Sequence, residues 1–335
     1  MAKQMVDTKT LVEFKNLKTH FHTSAGVVKA VDDVSFSIRE GETLCVVGES
    51  GCGKSVTAMS LMRLIETPPG EIAGGEILFE GTDLLKLSKR EMSRLRGNEI
   101  AMIFQEPMSS LNPVLTIGEQ ISEPLIMHMN MNRKEAKQRA IELITLVGIP
   151  RAEEIFHAYP HELSGGMRQR IMIAIALSCD PKLLIADEPT TALDVTIQAQ
   201  ILDLMRDIKS KVNTSIMLIT HDLGVVAEMA DFVVVMYAGK VIEEAPVIDL
   251  FKDPQHPYTK GLLKAKPVLN QKQERLYSIP GQVPNPVELG NNCHFHDRCE
   301  FCMEICKTKA PPLRTHGDSK HKTACWLYEE EGKVQ

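Results

Sequence analysis

The sequence lacks an excess of basic residues, a long apolar run and an apolar stretch near its first residues. It has 38 basic and 44 acidic residues and a formal net charge of −6, which gives no electrostatic argument for a nucleic-acid partner. No apolar run approaches the ~20 residues that a helix needs to span a bilayer. The first residues do not resemble a secretory signal. We therefore expect a soluble chain, or one that partner proteins hold at a membrane.

The composition is that of a globular protein. Hydrophobic residues make up 43% and charged residues 24%, which excludes a disordered or collagen-like chain. The length of 335 residues favours about two domains. Apolar runs alternate with helical patterns, which is typical of the α/β class. Strands are predicted over residues 11–14, 28–38, 43–47, 183–186, 215–220 and 232–236, and helices over residues 55–65, 196–212 and most of 88–180.

The strand predicted at residues 43–47 leads into a glycine-rich loop. The loop reads Gly48-Glu49-Ser50-Gly51-Cys52-Gly53-Lys54-Ser55, which fits the pattern G-x-x-x-x-G-K-[ST] between a buried strand and a helix. Its glycines let backbone N–H groups wrap a polyphosphate, and the N-terminus of the following helix faces it. Lys54 supplies a positive charge to the β- and γ-phosphates, and Ser55 offers a hydroxyl to Mg²⁺. The loop therefore predicts a phosphate site for a nucleotide.

An acidic pair, Asp187-Glu188, follows the strand predicted at residues 183–186. Open α/β sheets bind ligands at the carboxyl ends of their strands, where this pair is expected. Asp187 can hold Mg²⁺ through water, and Glu188 can polarise an attacking water. Together with the phosphate loop, the pair predicts hydrolysis of the nucleotide.

A further motif brings in a family resemblance. The segment Leu163-Ser164-Gly165-Gly166-Met167-Arg168-Gln169-Arg170 resembles the signature of the ATP-binding-cassette (ABC) proteins and precedes the acidic pair, as in that family. Ser164 is a good N-cap, and Gly165 and Gly166 leave bare N–H groups at a helix start, which makes a second anion site. The resemblance implies that Ser164, Gly165, Gly166 and Gln169 contact ATP held by the phosphate loop of another subunit.

Four more positions match the family in order along the chain. Gln105 resembles the glutamine that contacts Mg²⁺ and the attacking water, and Asp194 resembles a residue at the dimer interface. His221 resembles the histidine that contacts the γ-phosphate. Phe21 stands where the family places an aromatic on adenine, with Phe14 as an alternative that would belong to the core.

The resemblance implies a fold and a domain organisation. The fold is the P-loop NTPase domain of ABC proteins: a RecA-like core with an antiparallel β subdomain and a helical signature subdomain at about residues 90–180. This ATP-binding domain is expected over residues 8–255. A small cysteine-rich, metal-binding extension is expected over residues 256–330. Since the catalytic set is complete, the resemblance implies ATP hydrolysis with Mg²⁺.

The eight cysteines are unevenly distributed. Five of them crowd together near the end of the chain, at Cys293, Cys299, Cys302, Cys306 and Cys325. An odd number of clustered cysteines in a chain without an export signal argues against a disulfide framework and favours metal ligation.

The segments at residues 254–260 and 279–281, together with the cysteines, resemble the C-terminal extension of dipeptide/oligopeptide permease ATPases. The resemblance implies that Cys293, Cys299, Cys306 and Cys325 ligate a 4Fe–4S cluster, to which soft thiolates are suited. Cys302 departs from the family pattern and creates a C-x-x-C spacing that is also common in zinc sites. Zinc therefore stays an alternative, and Cys302 an additional candidate ligand. A folding staple is the simplest role for either metal.

The function that the resemblance implies is ATP-powered import of di- or oligopeptides from the cytoplasmic face of the cell membrane. The implied partners are a paralogous ATPase subunit in a heterodimer, two transmembrane permease subunits and an extracellular peptide-binding protein, with no nucleic acid. A second interpretation keeps this mechanism with nickel, opines or another small solute as cargo. A third is a soluble ABC protein acting on ribosomes or DNA ends; such proteins usually carry two cassettes or a long coiled coil, whereas this chain has one phosphate loop and no sustained heptads.

Overall fold

The structure is a computed structural model, and it describes residues 9–105, 110–191, 194–212, 214–265, 277–315 and 320–328. The chain divides into two compact units. We call them the helical unit, which comprises Met1–Leu11, Ile38–Thr43 and Asp83–Ile219, and the sheet unit, which comprises Val12–Ser37, Leu44–Thr82 and Thr220–Gln335. None of the helices in the described ranges has the length and apolar character that crossing a membrane requires.

The sheet unit holds most of an antiparallel sheet with the strand order β2-β1-β4-β5. Its strands are β1 (Thr10–Thr23), β2 (Gly26–Arg39), β4 (Gly70–Phe79) and β5 (Thr82–Asp83). Apolar residues alternate along β1 and β2, so that one face of the sheet is buried. On that face Phe14 stacks on Phe36, with ring centroids 4.4 Å apart, and lies opposite Ile77 of β4.

Further strands of the sheet unit combine parallel and antiparallel pairing. Strand β3 (Thr43–Val47) runs parallel to β9 (Phe232–Tyr237), and β9 pairs antiparallel with β10 (Lys240–Pro246). Two short strands near the end of the chain, β12 (Lys322–Thr323) and β11 (Arg314–Thr315), extend the sheet beyond β10. The helices described in this unit are α1 (Lys54–Leu61), α8 (Leu223–Met229), α9 (Val247–Lys252), α10 (Pro257–Lys264) and α11 (Glu304–Thr308).

The helical unit contains three parallel strands in the order β6-β7-β8, which are β6 (Ile100–Ile103), β7 (Leu183–Asp187) and β8 (Ser215–Ile219). All residues of β7 and β8 are buried, which explains their continuous apolar runs. Its described helices are α2 (Lys89–Leu95), α3 (Ile117–Met129), α4 (Arg133–Leu146), α5 (Ala152–His157), α6 (Gly165–Ala176) and α7 (Val195–Val212).

Local sequence fixes where several of these helices begin. Helices α2, α3 and α4 each start with a capping box, in which a polar N-cap and a glutamate three residues later satisfy each other's backbone N–H groups. The capping pairs are Ser88 with Glu91, Thr116 with Glu119, and Asn132 with Glu135.

The packing between helices is close, since a Cβ atom at Gly118 of α3 would lie 2.5 Å from the ring of Phe156 in α5.

Some boundaries differ from those predicted. The helix predicted over residues 55–65 ends at Leu61, because Arg63 has a positive φ of 50° that stops helical propagation. Strand β4 was not predicted, since its three glycines interrupt the alternating pattern. Strand β10 was not predicted either, because Glu243 and Glu244 lie in its middle.

The predicted domain ranges and the compact units divide the chain differently. The segment at residues 90–180 is mainly helical, as expected, and includes β6 as well as α3 to α6. The described part of the extension after residue 255 belongs to the same unit as β3 and α1. The boundary at residue 255 stays a prediction. Residues 266–276, 316–319 and 329–330 of the extension lie outside the described residues.

A buried carboxylate attaches the extension to β10. Glu243 is 0% exposed and accepts hydrogen bonds from the ring of His321 (2.6 Å) and from the backbone N–H groups of Gln255 (2.6 Å) and His256 (2.9 Å). Burial opposes its charged form, but these hydrogen bonds outweigh burial and hold the pKa of Glu243 below its ordinary value. A charge that is buried and fully paired is expensive to disrupt.

We expect Glu243→Ala to lower the free energy of unfolding of the sheet unit by about 3–5 kcal/mol, because His321 and two backbone N–H groups lose their acceptor. The measurement is urea unfolding followed by fluorescence of the single tryptophan, Trp326, which is buried in the extension. Glu304→Ala, at a carboxylate that is 89% exposed, is the control. Equal unfolding midpoints for the two variants would show that Glu243 does not hold the extension in place.

Candidate functional site

The glycine-rich loop has a backbone that only glycine tolerates at two positions. Gly48 and Gly53 have φ angles of +152° and +104°. A Cβ atom at Gly48 would lie 2.2 Å from the carbonyl oxygen of Met236 in β9, and one at Gly53 would lie 2.3 Å from that of Ala30 in β2. These clashes explain why glycine occupies both positions. The loop therefore passes tightly over β9 and β2 before α1 begins.

The side chain of Lys54 binds the backbone at the start of the loop. Its side chain is buried, and its ammonium group donates to the carbonyl oxygens of Gly48 (2.8 Å) and Glu49 (3.1 Å). The N-terminus of α1 begins at this lysine and contains Ser55, so a positive side chain and a helix N-terminus converge at one point. Such a point suits an anion. Cys52 is buried beside Lys54, and burial raises the pKa of its thiol.

A cavity of about 370 Å³ lies against the start of the loop in the sheet unit. It is lined by Val47, Gly48 and Glu49, by His221 and its neighbours Asp222 and Leu223, and by Leu262 and Ala265. The structure thus brings His221, predicted to contact a phosphate, to the same cavity as the phosphate loop. A cavity of this volume is within the range of small-molecule sites.

The two candidate phenylalanines have different environments. Phe14 is 1% exposed in the core of the antiparallel sheet, which leaves its ring no room for a ligand. Phe21 lies on the same strand opposite Gly70 and is only partly buried. Stacking of Phe21 on adenine stays a prediction, while Phe14 is a core residue.

In the helical unit the acidic pair ends β7. Asp187 is 5% exposed, and Glu188 follows with a φ of +46°. Left-handed backbone at a residue other than glycine costs of order 1 kcal/mol or more and is often found at functional sites. One carboxylate oxygen of Glu188, Oε2, accepts hydrogen bonds from Gln105 Nε2 (3.1 Å) and from Thr191 Oγ1 (2.8 Å). The structure thus joins two predicted residues that are 83 positions apart.

The sequence reasoning missed Thr191. Its backbone N–H donates to the carbonyl oxygen of Glu188 at 3.1 Å, so a turn returns its hydroxyl to the carboxylate. A hydroxyl three residues after an acidic group in a turn is the signal that could have found it.

The signature segment forms the exposed start of α6. Ser164 caps the helix by accepting from the backbone N–H of Met167 at 3.3 Å. Gly165 is exposed, and a Cβ atom there would meet no atom within 4 Å, whereas one at Gly166 would lie 3.1 Å from Ile197 in α7. The helix tip therefore presents uncovered backbone.

Gln169 lies one turn farther along and faces inward. It is 2% exposed, and its amide donates to the carbonyl oxygen of Pro189 at 2.6 Å. In this structure it links the signature helix to the segment that follows Glu188. Its predicted contact with a partner's ATP therefore has no support from its position.

Asp194 caps the start of α7. Its carboxylate accepts from the backbone N–H of Ile197 at 2.9 Å, and its carbonyl oxygen accepts from that of Gln198 at 2.9 Å. The two preceding residues of the predicted interface motif, Ala192 and Leu193, lie outside the described residues.

Four cysteines of the extension line one cavity. Cys293, Cys299, Cys306 and Cys325 surround it together with apolar side chains that include Phe295 and Trp326, whereas Cys302 is not part of the lining. Burial raises the pKa of Cys293 to about 12 and that of Cys325 to about 11, and the neighbouring cysteines act in the same direction. Such thiols stay protonated at neutral pH unless a cation is bound.

A backbone hydrogen bond connects two of these cysteines. The N–H of Cys293 donates to the carbonyl oxygen of Cys306 at 2.9 Å. Within the described ranges, no three or more His, Cys, Asp or Glu side chains are grouped so that they could hold a metal ion. The metal-binding role of the extension therefore stays a prediction.

Comparison with known proteins identifies the family. The chain is 58% identical to the oligopeptide transport ATP-binding protein AppD of Bacillus subtilis, with 97% of this chain and 99% of that protein covered. It is 50% identical to the oligopeptide transport ATP-binding protein OppD of the same organism, with 99% and 93% covered. The chain belongs to the ATP-binding subunits of oligopeptide and dipeptide ABC transporters.

Two family patterns match this ABC subunit in separate parts of the chain. The pattern described as ABC transporter matches residues 31–191, and the pattern described as the C-terminal region of oligopeptide/dipeptide transporters matches residues 242–306. The fold of the ABC nucleotide-binding domain is supported by the dimeric post-hydrolysis structure of the ATP-binding cassette MJ0796 bound to ADP and Pi. That structure has a TM-score of 0.64, 27% identity, and coverage of 70% of this chain and 98% of its own. The subunit is therefore an ABC ATPase.

We expect Thr191→Val to lower kcat for ATP about 3- to 10-fold with little change in ATP affinity, because Glu188 loses one of the hydrogen bonds that orient its carboxylate. Steady-state ATPase assays on the assembled transporter measure both constants. Thr191→Ser keeps the hydroxyl and serves as the control. A Thr191→Val enzyme with the kcat of Thr191→Ser would contradict an orienting role.

Proposed function

We propose that this ABC ATPase powers the import of di- or oligopeptides. The observation that carries the proposal is a complete phosphate loop, with Lys54 at its centre, in a chain whose extension matches the C-terminal region of oligopeptide/dipeptide transporters. The relatives AppD and OppD are named as oligopeptide transport proteins, which supports the same class of cargo. Nothing in the described structure favours nickel or another small solute.

In this proposal the phosphate loop binds ATP. Gly48, Glu49, Ser50, Gly51, Cys52, Gly53, Lys54 and Ser55 surround its phosphates, and Phe21 stacks on the adenine. Ser55, Gln105 and Asp187 serve as Mg²⁺ ligands, directly or through water. The convergence of Lys54 with the N-terminus of α1 supports the phosphate assignment. Phe21 is only partly buried, which is consistent with contact to a base.

Glu188 is proposed as the general base. A water molecule transfers a proton to its carboxylate as the water oxygen bonds to the γ-phosphorus, and the bond from this phosphorus to the β–γ bridging oxygen breaks, so that ADP and phosphate form. Gln105 and Thr191 orient the carboxylate. His221 contacts the γ-phosphate in this proposal, and its place at the loop cavity supports that role.

A second ATPase subunit completes the site. Ser164, Gly165 and Gly166 present their helix tip to ATP bound by a paralogous subunit, and Asp194 lies at the interface. The exposed Gly165 supports this assignment. Two transmembrane permease subunits, with an extracellular peptide-binding protein, would place the dimer at the cytoplasmic face of the membrane.

We expect Glu188→Gln to reduce ATP turnover at least 100-fold in the assembled transporter while ATP stays bound, because the amide cannot accept the proton from water. The measurement is ATP retained by the complex after rapid gel filtration, together with phosphate release. Glu154→Gln, at a carboxylate that is 69% exposed, is the control. Undiminished turnover in Glu188→Gln would remove the general-base assignment, and co-purification with ribosomes instead of membrane proteins would contradict transport.

For the extension, a 4Fe–4S cluster held by Cys293, Cys299, Cys306 and Cys325 is the proposed group. Four cysteines that line one cavity fit four thiolate ligands. A single zinc ion draws its thiolates to about 2.3 Å from the metal, whereas a cluster separates its ligands more widely. Within the described ranges no group of three or more such residues is placed to hold a metal ion, so zinc stays the alternative to the cluster. When bound, the cluster would tie the loop of Cys293–Cys306 to Cys325.

We expect Cys299→Ser to lose iron and visible absorbance in anaerobically purified protein, while Cys302→Ser keeps both, because Cys299 lines the cavity and Cys302 does not. Iron, sulfide and zinc content are measured beside the absorption spectrum. The two variants are matched, since each removes one thiol from the same short segment. Stoichiometric zinc without iron in the wild-type chain would contradict the cluster, and iron loss in Cys302→Ser would contradict the ligand set.

A further inference from the structure

One side chain of the extension reaches the phosphate loop. Arg298 precedes Cys299, and its side chain is 5% exposed. It forms a bidentate ion pair with Glu49, the second residue of the loop: Nη1 donates to Oε2 at 2.7 Å and Nη2 donates to Oε1 at 3.1 Å. A forked pair of this kind fixes the direction of both side chains as well as their distance.

The guanidinium of Arg298 is itself held on several sides. Nε donates to the carbonyl oxygen of Pro280 at 2.9 Å, and Nη1 also donates to the hydroxyl of Tyr237 at 3.3 Å. The guanidinium carbon lies 5.8 Å from the ring centroids of both Tyr237 and Phe295. Because its own position is fixed by the extension and by β9, Arg298 can impose a position on Glu49.

A second contact anchors the backbone of the same loop residue. The N–H of Glu49 donates to the hydroxyl of Tyr258 at 2.8 Å. Tyr258 is fully buried in the first turn of α10, where its N–H donates to the ring of His256 at 3.0 Å. Burial raises the pKa of Tyr258, so its hydroxyl stays neutral. Glu49 is therefore held by its carboxylate and by its backbone, both from residues beyond 255.

The ion pair has an electrostatic consequence for the loop. The ammonium group of Lys54, a cation needed for phosphates, donates to the backbone carbonyl oxygen of Glu49 and so lies close to the backbone of this acidic residue. An unpaired carboxylate at Glu49 would attract the ammonium of Lys54 and repel a triphosphate. Arg298 supplies the opposite charge and holds the carboxylate in the direction of the extension.

We propose that Arg298 is a positioning residue for nucleotide binding, which holds the Glu49 carboxylate away from Lys54 and so keeps the phosphate loop receptive to ATP. The proposal rests on the proposed role of this loop in binding ATP. It gives the extension an effect on the nucleotide site, in addition to its own folding.

The test compares Arg298→Gln, Glu49→Gln and the double variant in the full chain. Dissociation constants for Mg-ATP are measured by competition with a fluorescent ATP analogue. We expect Arg298→Gln to weaken ATP binding about tenfold or more, because it leaves the Glu49 carboxylate unpaired in the loop that holds Lys54. The double variant is expected to bind ATP more tightly than Arg298→Gln alone, because removal of the carboxylate also removes the competition. Arg314→Gln, at an exposed arginine of the extension, is the control.

Rescue by Glu49→Gln distinguishes positioning from simple packing. If Arg298→Gln merely loosened the extension, the second substitution would not restore ATP affinity. Equal weakening in the single and double variants, or wild-type affinity in Arg298→Gln, would overturn the proposal. If Arg298→Gln fails to fold, Arg298→Lys replaces it. Lysine keeps the charge without the fork, so we expect a smaller loss that Glu49→Gln again relieves.

A further variant separates this inference from the proposed function. Lys54→Ala is titrated with the same ATP analogue. Unchanged affinity in Lys54→Ala would show that the loop is not the phosphate site and would overturn both proposals. A loss in Lys54→Ala with no effect of Arg298→Gln would overturn the role of Arg298 alone.

Discussion

The close passage of the phosphate loop over its neighbouring strands is the constraint on which the nucleotide chemistry depends. Gly48 and Gly53 allow carbonyl groups of β9 and β2 to approach within distances that no other residue permits. The backbone N–H of Gly239, after β9, also donates to the carbonyl oxygen of Cys52 at 3.1 Å. Backbone groups of β9, β2 and Gly239 thus hold the loop on the side of the sheet, while the extension holds Glu49 through Arg298 and Tyr258. A preformed loop loses little conformational entropy when it binds phosphates.

The helical unit places its chemical groups by different means. Glu188 follows a fully buried strand, and its left-handed backbone turns its carboxylate toward Gln105 and Thr191. The signature helix is tied to the same segment, because Gln169 bonds the carbonyl oxygen of Pro189. A displacement of the signature helix would therefore act on the residues just after Glu188, which is the proposed general base. In the proposed function, the hydrogen bond from Gln169 to Pro189 would therefore connect the signature helix, which contacts a partner subunit, with the residue proposed for hydrolysis.

Sequence patterns were sufficient to predict the buried strands and the glycine-rich loop between a strand and a helix, because continuous apolar runs and glycine spacing reflect local structure. The roles of the motif residues stay predictions. They were insufficient for β10, since the side chains of Glu243 and Glu244 are paired inside the fold with His321 and Lys322, each 78 residues farther along the chain. The same holds for Arg298 and Glu49, which are separated by 249 positions. Such pairs depend on tertiary packing and leave no local pattern. The sequence could have indicated Thr191 as a turn residue, but its contact with Glu188 follows only from the turn that brings its hydroxyl back to the carboxylate.

Uptake of a radiolabelled dipeptide and tripeptide, in a strain that lacks this gene, tests the central claim most directly. The wild-type chain and Lys86→Ala, at a lysine that is 73% exposed, should both restore uptake. Lys54→Ala should restore none, because the phosphate loop loses its central cation. Peptide uptake at the wild-type level with Lys54→Ala would contradict the claim that this loop powers transport.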